Sequence, residues 1–196
     1  MEMNSSRTRN QKKFDFKEIV KHFAFDGDFL EAYPHGSGHI NDTYIVWFRK
    51  TCKAKHRYIL QRINHNVFKD PNKLMQNIKK ITTHLREKII VAHGDPDRET
   101  INIVPTTGGH SFYMSPDGNY WRAYLFIENA QAYQITENLK YLYNASKAFG
   151  RFQEALLDFP VKQLHKIIPD LHYTPGHFRN FVEALERDII LSTAYF

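Results

Sequence analysis

The sequence predicts an α+β fold, with an antiparallel sheet of about five strands and one long helix followed by an all-helical segment. Three observations support this prediction. Short runs rich in β-branched and aromatic residues alternate with glycine-containing turns over the first 127 residues. One clear helical pattern interrupts them between residues 70 and 88. From residue 138 onward only helical patterns occur, so we expect a boundary between two lobes at residues 127–132.

The composition indicates a folded chain with a real core. Of the 196 residues, 42% are apolar and 14% are aromatic, which argues against disorder except at the ends. Residues 1–14 are polar and basic over most of their length, and we expect them to form a flexible tail. Cys52 is the single cysteine, which excludes an internal disulfide and favours a reducing, cytoplasmic location. No run of about 18 apolar residues predicts a membrane span.

Positive charge is concentrated in one segment. The formal net charge is +6, yet residues 49–88 hold twelve Lys and Arg residues against two acidic residues. Such an excess favours an anionic partner such as a nucleotide, a nucleic acid or an acidic lipid, whereas the simpler interpretation is a solvated basic surface.

The first strands surround a glycine turn. Asp15 can cap a short helix, after which residues 29–35 and 40–48 predict an antiparallel pair of strands. Residues 58–63 predict a third strand, which carries Arg62 among apolar neighbours. Two strands joined by a glycine turn expose backbone N–H groups, and a cation on the next strand indicates that they face a phosphate.

The long helix begins at a strong start signal. Asp70 suits the capping position and Pro71 the first helical position, and the pattern predicts a helix that ends near Lys88. A turn at residues 95–97 follows, and then strand-like runs at residues 100–105, 110–114 and 120–127.

The remainder predicts two helices. One begins at Asn138 and the other at Thr174-Pro175. The aromatic residues of these helices are predicted to lie in a core: Phe149, Phe152, Phe178 and Phe181.

Four motifs occur in order along the chain: GSGHINDTY at 36–44, YILQRIN at 58–64, VFKDP at 67–71 and WRAYLFIE at 121–128. Together they resemble the N-acetylhexosamine 1-kinases, a branch of the aminoglycoside/choline phosphotransferase superfamily, over about residues 29–186. The resemblance implies a protein-kinase-like small lobe at 15–127, a linker at 128–132 and the start of a helical large lobe at 133–196. It also implies ATP and Mg²⁺ as cofactors and phosphorylation of the anomeric hydroxyl of an N-acetylhexosamine.

The same resemblance implies a set of nucleotide-binding residues. The glycine turn would cover the phosphates, Arg62 would stand where protein kinases have their strand-three lysine, and the backbone of residues 126–128 would contact the adenine edge. The residues implied are Gly36, Ser37, Gly38, His39, Asn41, Thr43, Arg62, Phe126, Ile127 and Glu128. Asn41 and Thr43 are equally well explained as ordinary polar residues of a strand.

Two departures from the family pattern matter. The helix after the third strand offers no acid until Glu87, so nothing evident orients Arg62. Phosphoryl transfer also needs a carboxylate to align the acceptor and an Asp/Asn pair to hold magnesium. Past residue 131 no aspartate is followed by asparagine five positions on.

The second departure leads to an expectation about the intact enzyme. We expect no catalytic residue or metal ligand in this chain, and we expect the catalytic base and the magnesium ligands to be encoded beyond Phe196. The chain would then be part of a longer enzyme and inactive alone.

Two other functions compete with this interpretation. A nucleic-acid-binding module could use the basic residues 49–88, but aromatic residues do not interleave with these cations as they do in single-strand binders. A mucin-desulfatase activity is disfavoured because the sequence after Cys52 lacks the proline and arginine of the common sulfatase motif. The eleven histidines form no HExxH motif, so we expect no zinc site.

Overall fold

The computed structural model describes residues 14–193, except residues 37, 51–53, 132 and 134. The fold is α+β, and the chain divides into two compact units at residues 165 and 166. This division lies later than the predicted lobe boundary at 127–132, because the helix after that boundary belongs to the first unit. Among the described residues, no helix is long and apolar enough to cross a membrane.

The first unit begins with a short helix and a three-stranded meander. Helix α1 spans Phe16–Val20, and the Asp15 side chain caps it by accepting a hydrogen bond from the Glu18 backbone N–H. Strands β1 (Asp28–Pro34), β2 (Asp42–Arg49) and β3 (Lys55–Ile63) pair consecutively and antiparallel. The predicted helix and the three predicted strands are thus present, with β3 beginning three residues earlier than expected.

Helix α2, Pro71–Val91, follows β3. The Asp70 carboxylate accepts a hydrogen bond from the Lys73 backbone N–H, and Pro71 opens the first turn, as predicted. The helix continues three residues past Lys88. Helix α3, Pro96–Glu99, stands where only a turn was expected, and Asp95 caps it through the Asp97 backbone N–H.

The sheet is completed by strands β4 (Ile103–Val104), β5 (Tyr113–Met114) and β6 (Tyr120–Leu125). Strand β6 pairs with β3, and β4 and β5 both pair with β6, which gives the order β1-β2-β3-β6-β4 with β5 beside β6. The described residues therefore form six strands, where about five were expected. The additional count comes from β4 and β5, which have only two residues each and both pair with β6.

The two faces of this sheet are different. On the α1 face, helix α1 covers an apolar cluster that contains the fully buried Leu60 and Trp121. Phe14 also packs there, with its ring 4.9 Å from that of Trp121, although it was predicted to belong to the flexible tail. The α2 face carries the alternate residues of β3, including Gln61. Side chains on a strand point to opposite faces in turn, so Arg62 and Gln61 lie on different faces.

Two further α-helices and a short 3₁₀ helix, Val161–Gln163, complete the described chain. Helix α4, Leu139–Ala155, belongs to the first unit and is capped by Asn138, as its sequence predicts. Helix α5, Thr174–Thr193, lies in the second unit. The prediction that the aromatic residues of these helices are core is wrong, because Phe149, Phe152, Phe178 and Phe181 are 43–65% exposed. A helical period shows which residues share a side but not whether anything covers that side.

Candidate functional site

A cavity of about 520 Å³ lies at the end of the β1–β2 hairpin. It brings together six of the residues that the sequence singled out, which are Gly36, Gly38, His39, Asn41, Thr43 and Arg62. The other lining residues are Phe14, Pro34, His35, Ile40, Asp42, Tyr44 and Asn64. Ser37, which was also predicted to belong to the site, lies outside the described residues.

The glycine turn is closed by backbone hydrogen bonding at its base. The His35 N–H donates to the Thr43 carbonyl at 2.8 Å. Gly36 has φ of 76°, a conformation that glycine adopts without the steric cost paid by other residues. A Cβ at Gly36 would meet no described atom within 4 Å, so the backbone is open to an approaching ligand. Asn41 stabilises the loop, because its side-chain oxygen accepts a hydrogen bond of 2.9 Å from the Asn64 N–H.

Arg62 is held by partners on the α1 face. Its Nε donates to Asp42 Oδ2 at 2.7 Å, its Nη1 donates to Asn119 Oδ1 at 3.1 Å, and its guanidinium lies 5.7 Å from the centre of the Phe14 ring. These contacts answer what orients Arg62 without an acid on α2. They also show that Arg62 points away from α2. The resemblance implied the opposite, a cation held by an acid on that helix. A nucleotide contact by Arg62 stays a prediction.

Three polar side chains form a row across the α2 face. Arg122 donates from Nε and Nη2 to the Gln61 Oε1 at 2.9 and 2.6 Å, and Gln61 Nε2 donates to the Thr43 hydroxyl at 2.7 Å. We call Thr43, Gln61 and Arg122 the polar row. The remaining Nη1 of Arg122 lies 3.8 Å from the sulfur of Met75 on α2.

Arg122 is a cation on the α2 face, and its side chain reaches Met75 of α2. Burial lowers the pKa of its guanidinium, and among the described residues no carboxylate forms an ion pair with it. Sequence reasoning missed both Arg122 and Gln61. Both residues lie in motifs that the sequence showed, Gln61 in YILQRIN and Arg122 in WRAYLFIE. What the sequence did not show is that β3 pairs with β6, which places Arg122 opposite Gln61.

The segment after β6 is fixed to the sheet by an arginine. Arg57 donates to the two carboxylate oxygens of Glu128 at 2.8 and 2.5 Å, and its guanidinium lies 3.9 Å from the centre of the Phe126 ring. The hydrogen bonds from Arg57 lower the pKa of the Glu128 carboxyl. Arg98 donates to the Glu128 backbone oxygen at 2.7 Å, so that carbonyl already has a partner. Ile127, the third residue predicted to contact the adenine edge, is half-buried.

The hairpin end and this segment come close to each other. The rings of His35 and Phe126 lie 5.9 Å apart between centroids. The glycine turn and the predicted adenine-reading segment therefore belong to one region of the molecule, although residues 126–128 do not line the cavity itself.

Six of the twelve basic residues in 49–88 form ion pairs within the chain. In the part of this segment that the structure describes, six basic side chains form ion pairs, and five of their six acidic partners come from outside the segment. The six are Lys50, Arg57, Arg62, Lys73, Arg86 and Lys88. Such pairing weakens the case for a basic surface that binds nucleic acid.

The described residues contain no cluster of three or more His, Cys, Asp or Glu side chains that could hold a metal ion. The expectation that the catalytic base and the magnesium ligands lie outside this chain stays a prediction. Cys52, the basis of the sulfatase alternative, also lies outside them. No protein-family model matches this chain.

Proposed function

We propose that this chain supplies the nucleotide-binding lobe of an ATP-dependent phosphotransferase that acts on a sugar hydroxyl. The acceptor suggested by the motifs at 36–44, 58–64, 67–71 and 121–128 is the anomeric hydroxyl of an N-acetylhexosamine. The observation that supports the proposal is the order of chemical groups along the α2 face, together with the contact between His35 and Phe126.

The α2 face changes character along strand β3. At one end Arg57 contacts Phe126 and Glu128. Next to it, Ile59 pairs with Ile45 on β2 and with Tyr124 on β6, which forms an apolar strip. The polar row follows.

This order matches the chemistry of a nucleotide. A base with polar edges and apolar faces suits the segment beside Phe126 and the apolar strip, since ligand sites are largely apolar with a few directed polar groups. A phosphate chain suits the polar row and the open backbone at Gly36. Phosphoryl transfer depends mainly on positioning and electrostatic stabilisation, and these groups would hold the phosphates in place.

The described residues do not fit a resident Mg²⁺ site, because they contain no suitable cluster of ligands. Carboxylates that align the acceptor and hold Mg²⁺ would have to come from groups other than those described.

Calorimetric titration of the full chain tests the proposal. ATP should bind with a dissociation constant below about 1 mM, and ATP with N-acetylglucosamine or N-acetylgalactosamine should give no ADP. Saturation by single-stranded DNA without any ATP binding would overturn the proposal and favour the nucleic-acid module. ADP formation would show that the chain alone contains the catalytic groups.

A pair of glycine variants locates the site. Gly36 and Gly109 have φ of 76° and 80°, and an added Cβ would meet no described atom within 4 Å at either position. Gly36→Ala should weaken ATP binding about tenfold, because a strained turn no longer presents its N–H groups to phosphate. Gly109→Ala carries the same backbone strain outside the site and should leave the affinity unchanged. Equal losses in both variants would contradict the placement of the nucleotide.

A further inference from the structure

The polar row leaves a hydroxyl proton without an acceptor among the described residues. An arginine only donates hydrogen bonds, so the two N–H groups of Arg122 require the oxygen of the Gln61 amide to face them. The Gln61 NH₂ group must then face Thr43, whose hydroxyl oxygen accepts at 2.7 Å. A hydroxyl has one proton, and that of Thr43 remains available to an acceptor outside the described residues.

The direction of this row gives it an electrostatic consequence. Arg122 carries a positive charge that no described carboxylate neutralises, and the amide of Gln61 lies between that charge and Thr43. Hydrogen bonds in a chain polarise one another, so the Thr43 hydroxyl becomes a better donor than an isolated threonine. An anionic oxygen is the acceptor that gains most from such a donor.

The position of Thr43 brings this donor to the glycine turn. The backbone carbonyl of Thr43 accepts the His35 N–H that closes the turn, and its side chain lies on the α2 face beside Gln61. The hydroxyl therefore belongs to the same strand end that presents the open backbone at Gly36.

We propose that the Thr43 hydroxyl donates a hydrogen bond to a phosphate oxygen of the bound nucleotide, and that Gln61 and Arg122 are positioning residues that fix its direction. This inference rests on the proposed function, and it adds Gln61 and Arg122 as the side chains that orient the Thr43 hydroxyl within that site. Arg122 acts through Gln61, which explains why a buried guanidinium has an amide rather than a carboxylate as its partner.

Titrations of the full chain with ATP, inorganic tripolyphosphate and adenosine test the proposal. Thr43→Val removes the hydroxyl with little change in shape and should weaken ATP and tripolyphosphate binding about tenfold to a hundredfold, the scale of a hydrogen bond to a charged group. Adenosine binding should not change, because adenosine has no phosphate. Thr43→Ser restores the hydroxyl and should bind ATP within about twofold of the original chain.

Gln61→Glu tests the direction of the row. A carboxylate at this position accepts from both Arg122 and Thr43, so the hydroxyl proton would turn away from the ligand. Gln61→Glu should therefore weaken ATP binding. Most of this loss of ATP affinity should disappear in a Thr43→Val background, where no hydroxyl proton remains to be turned away. If the whole loss persists there, the added charge acts directly on the ligand and the row as proposed is wrong.

The outcomes separate this inference from the proposed function. Unchanged ATP affinity in Thr43→Val, with an unchanged melting temperature, overturns the role of Thr43 but does not contradict the proposed nucleotide-binding function. If the original chain binds tripolyphosphate but not ATP, the proposed nucleotide binding is wrong. The Thr43 variants then test only whether the Thr43 hydroxyl contacts the bound polyphosphate. Binding of neither probe overturns both. If Thr43→Val fails to fold, Thr43→Ala repeats the comparison.

Discussion

The pair between Arg57 and Glu128 provides a quantitative test of how the segment after β6 is held. The two hydrogen bonds are bidentate, and the side chains are 26% and 47% exposed. Exposed ion pairs contribute about 0.2–1 kcal/mol, and bidentate geometry with partial burial belongs at the upper end of that range. We therefore expect a coupling free energy of about 1 kcal/mol between these residues.

The assay is a double-mutant cycle measured by urea denaturation. Arg57→Met keeps an apolar stem over Phe126, and Glu128→Gln keeps the size of the partner. The cation–π contribution of Arg57 is lost in both variants that lack the guanidinium, so it cancels from the coupling. A matched cycle on Lys166 and Asp170, which are 70% and 69% exposed, should give a smaller coupling.

The pH dependence has a defined sign. The folded protein holds the pKa of the Glu128 carboxyl below its ordinary value of 4.5, so its contribution to stability is present above pH 4.5. This contribution disappears as the pH falls through the lowered pKa. Below that pKa the Glu128→Gln variant and the original chain should have the same free energy of unfolding. A coupling below about 0.3 kcal/mol at pH 7 in folded variants would refute the reasoning.

Two further comparisons test the packing. A Cβ at Gly27 would lie 2.4 Å from the Arg49 carbonyl oxygen at φ of 102°, so Gly27→Ala should destabilise the fold by about 2 kcal/mol or more. Gly150→Ala, where a Cβ meets no described atom within 4 Å, should instead stabilise α4 by about 0.5–1 kcal/mol, and thermal melts that rank the two the other way would contradict this. Leu60→Ala should cost about 2–5 kcal/mol because Leu60 is fully buried. Leu139→Ala, at a position that is 79% exposed, should change the free energy of unfolding by less than about 0.5 kcal/mol. Equal losses of stability for Leu60→Ala and Leu139→Ala in urea denaturation would refute the burial pattern.

Helix starts were predictable because their determinants are local. Asp15, Asp70 and Asn138 each cap the helix that their sequence indicates, through hydrogen bonds to backbone groups within three residues. Strand ends were less predictable, since a strand continues as far as its partner does. Lys55 belongs to β3 because it pairs with Arg49 at the end of β2.

The site was only partly predictable for the same reason. The glycine turn and Arg62 do line one cavity, as the sequence suggested, but the partners of Arg62 lie 20 and 57 positions away in Asp42 and Asn119. Alternation along β3 separates Arg62 from Gln61 without showing which of them faces α2. That choice depends on Arg122, which is 61 positions from Gln61 and becomes its neighbour only through strand pairing.

The two tryptophans stand on opposite sides of the sheet. Trp121 is completely buried in the cluster under α1, whereas Trp47 is partly exposed, with the Arg57 guanidinium 5.2 Å from its ring centre. Their fluorescence therefore carries two separable signals. We expect emission from Trp121 to report unfolding of the interior and quenching of Trp47 to report a change at the α2 face, so that tryptophan fluorescence distinguishes the two without an added dye.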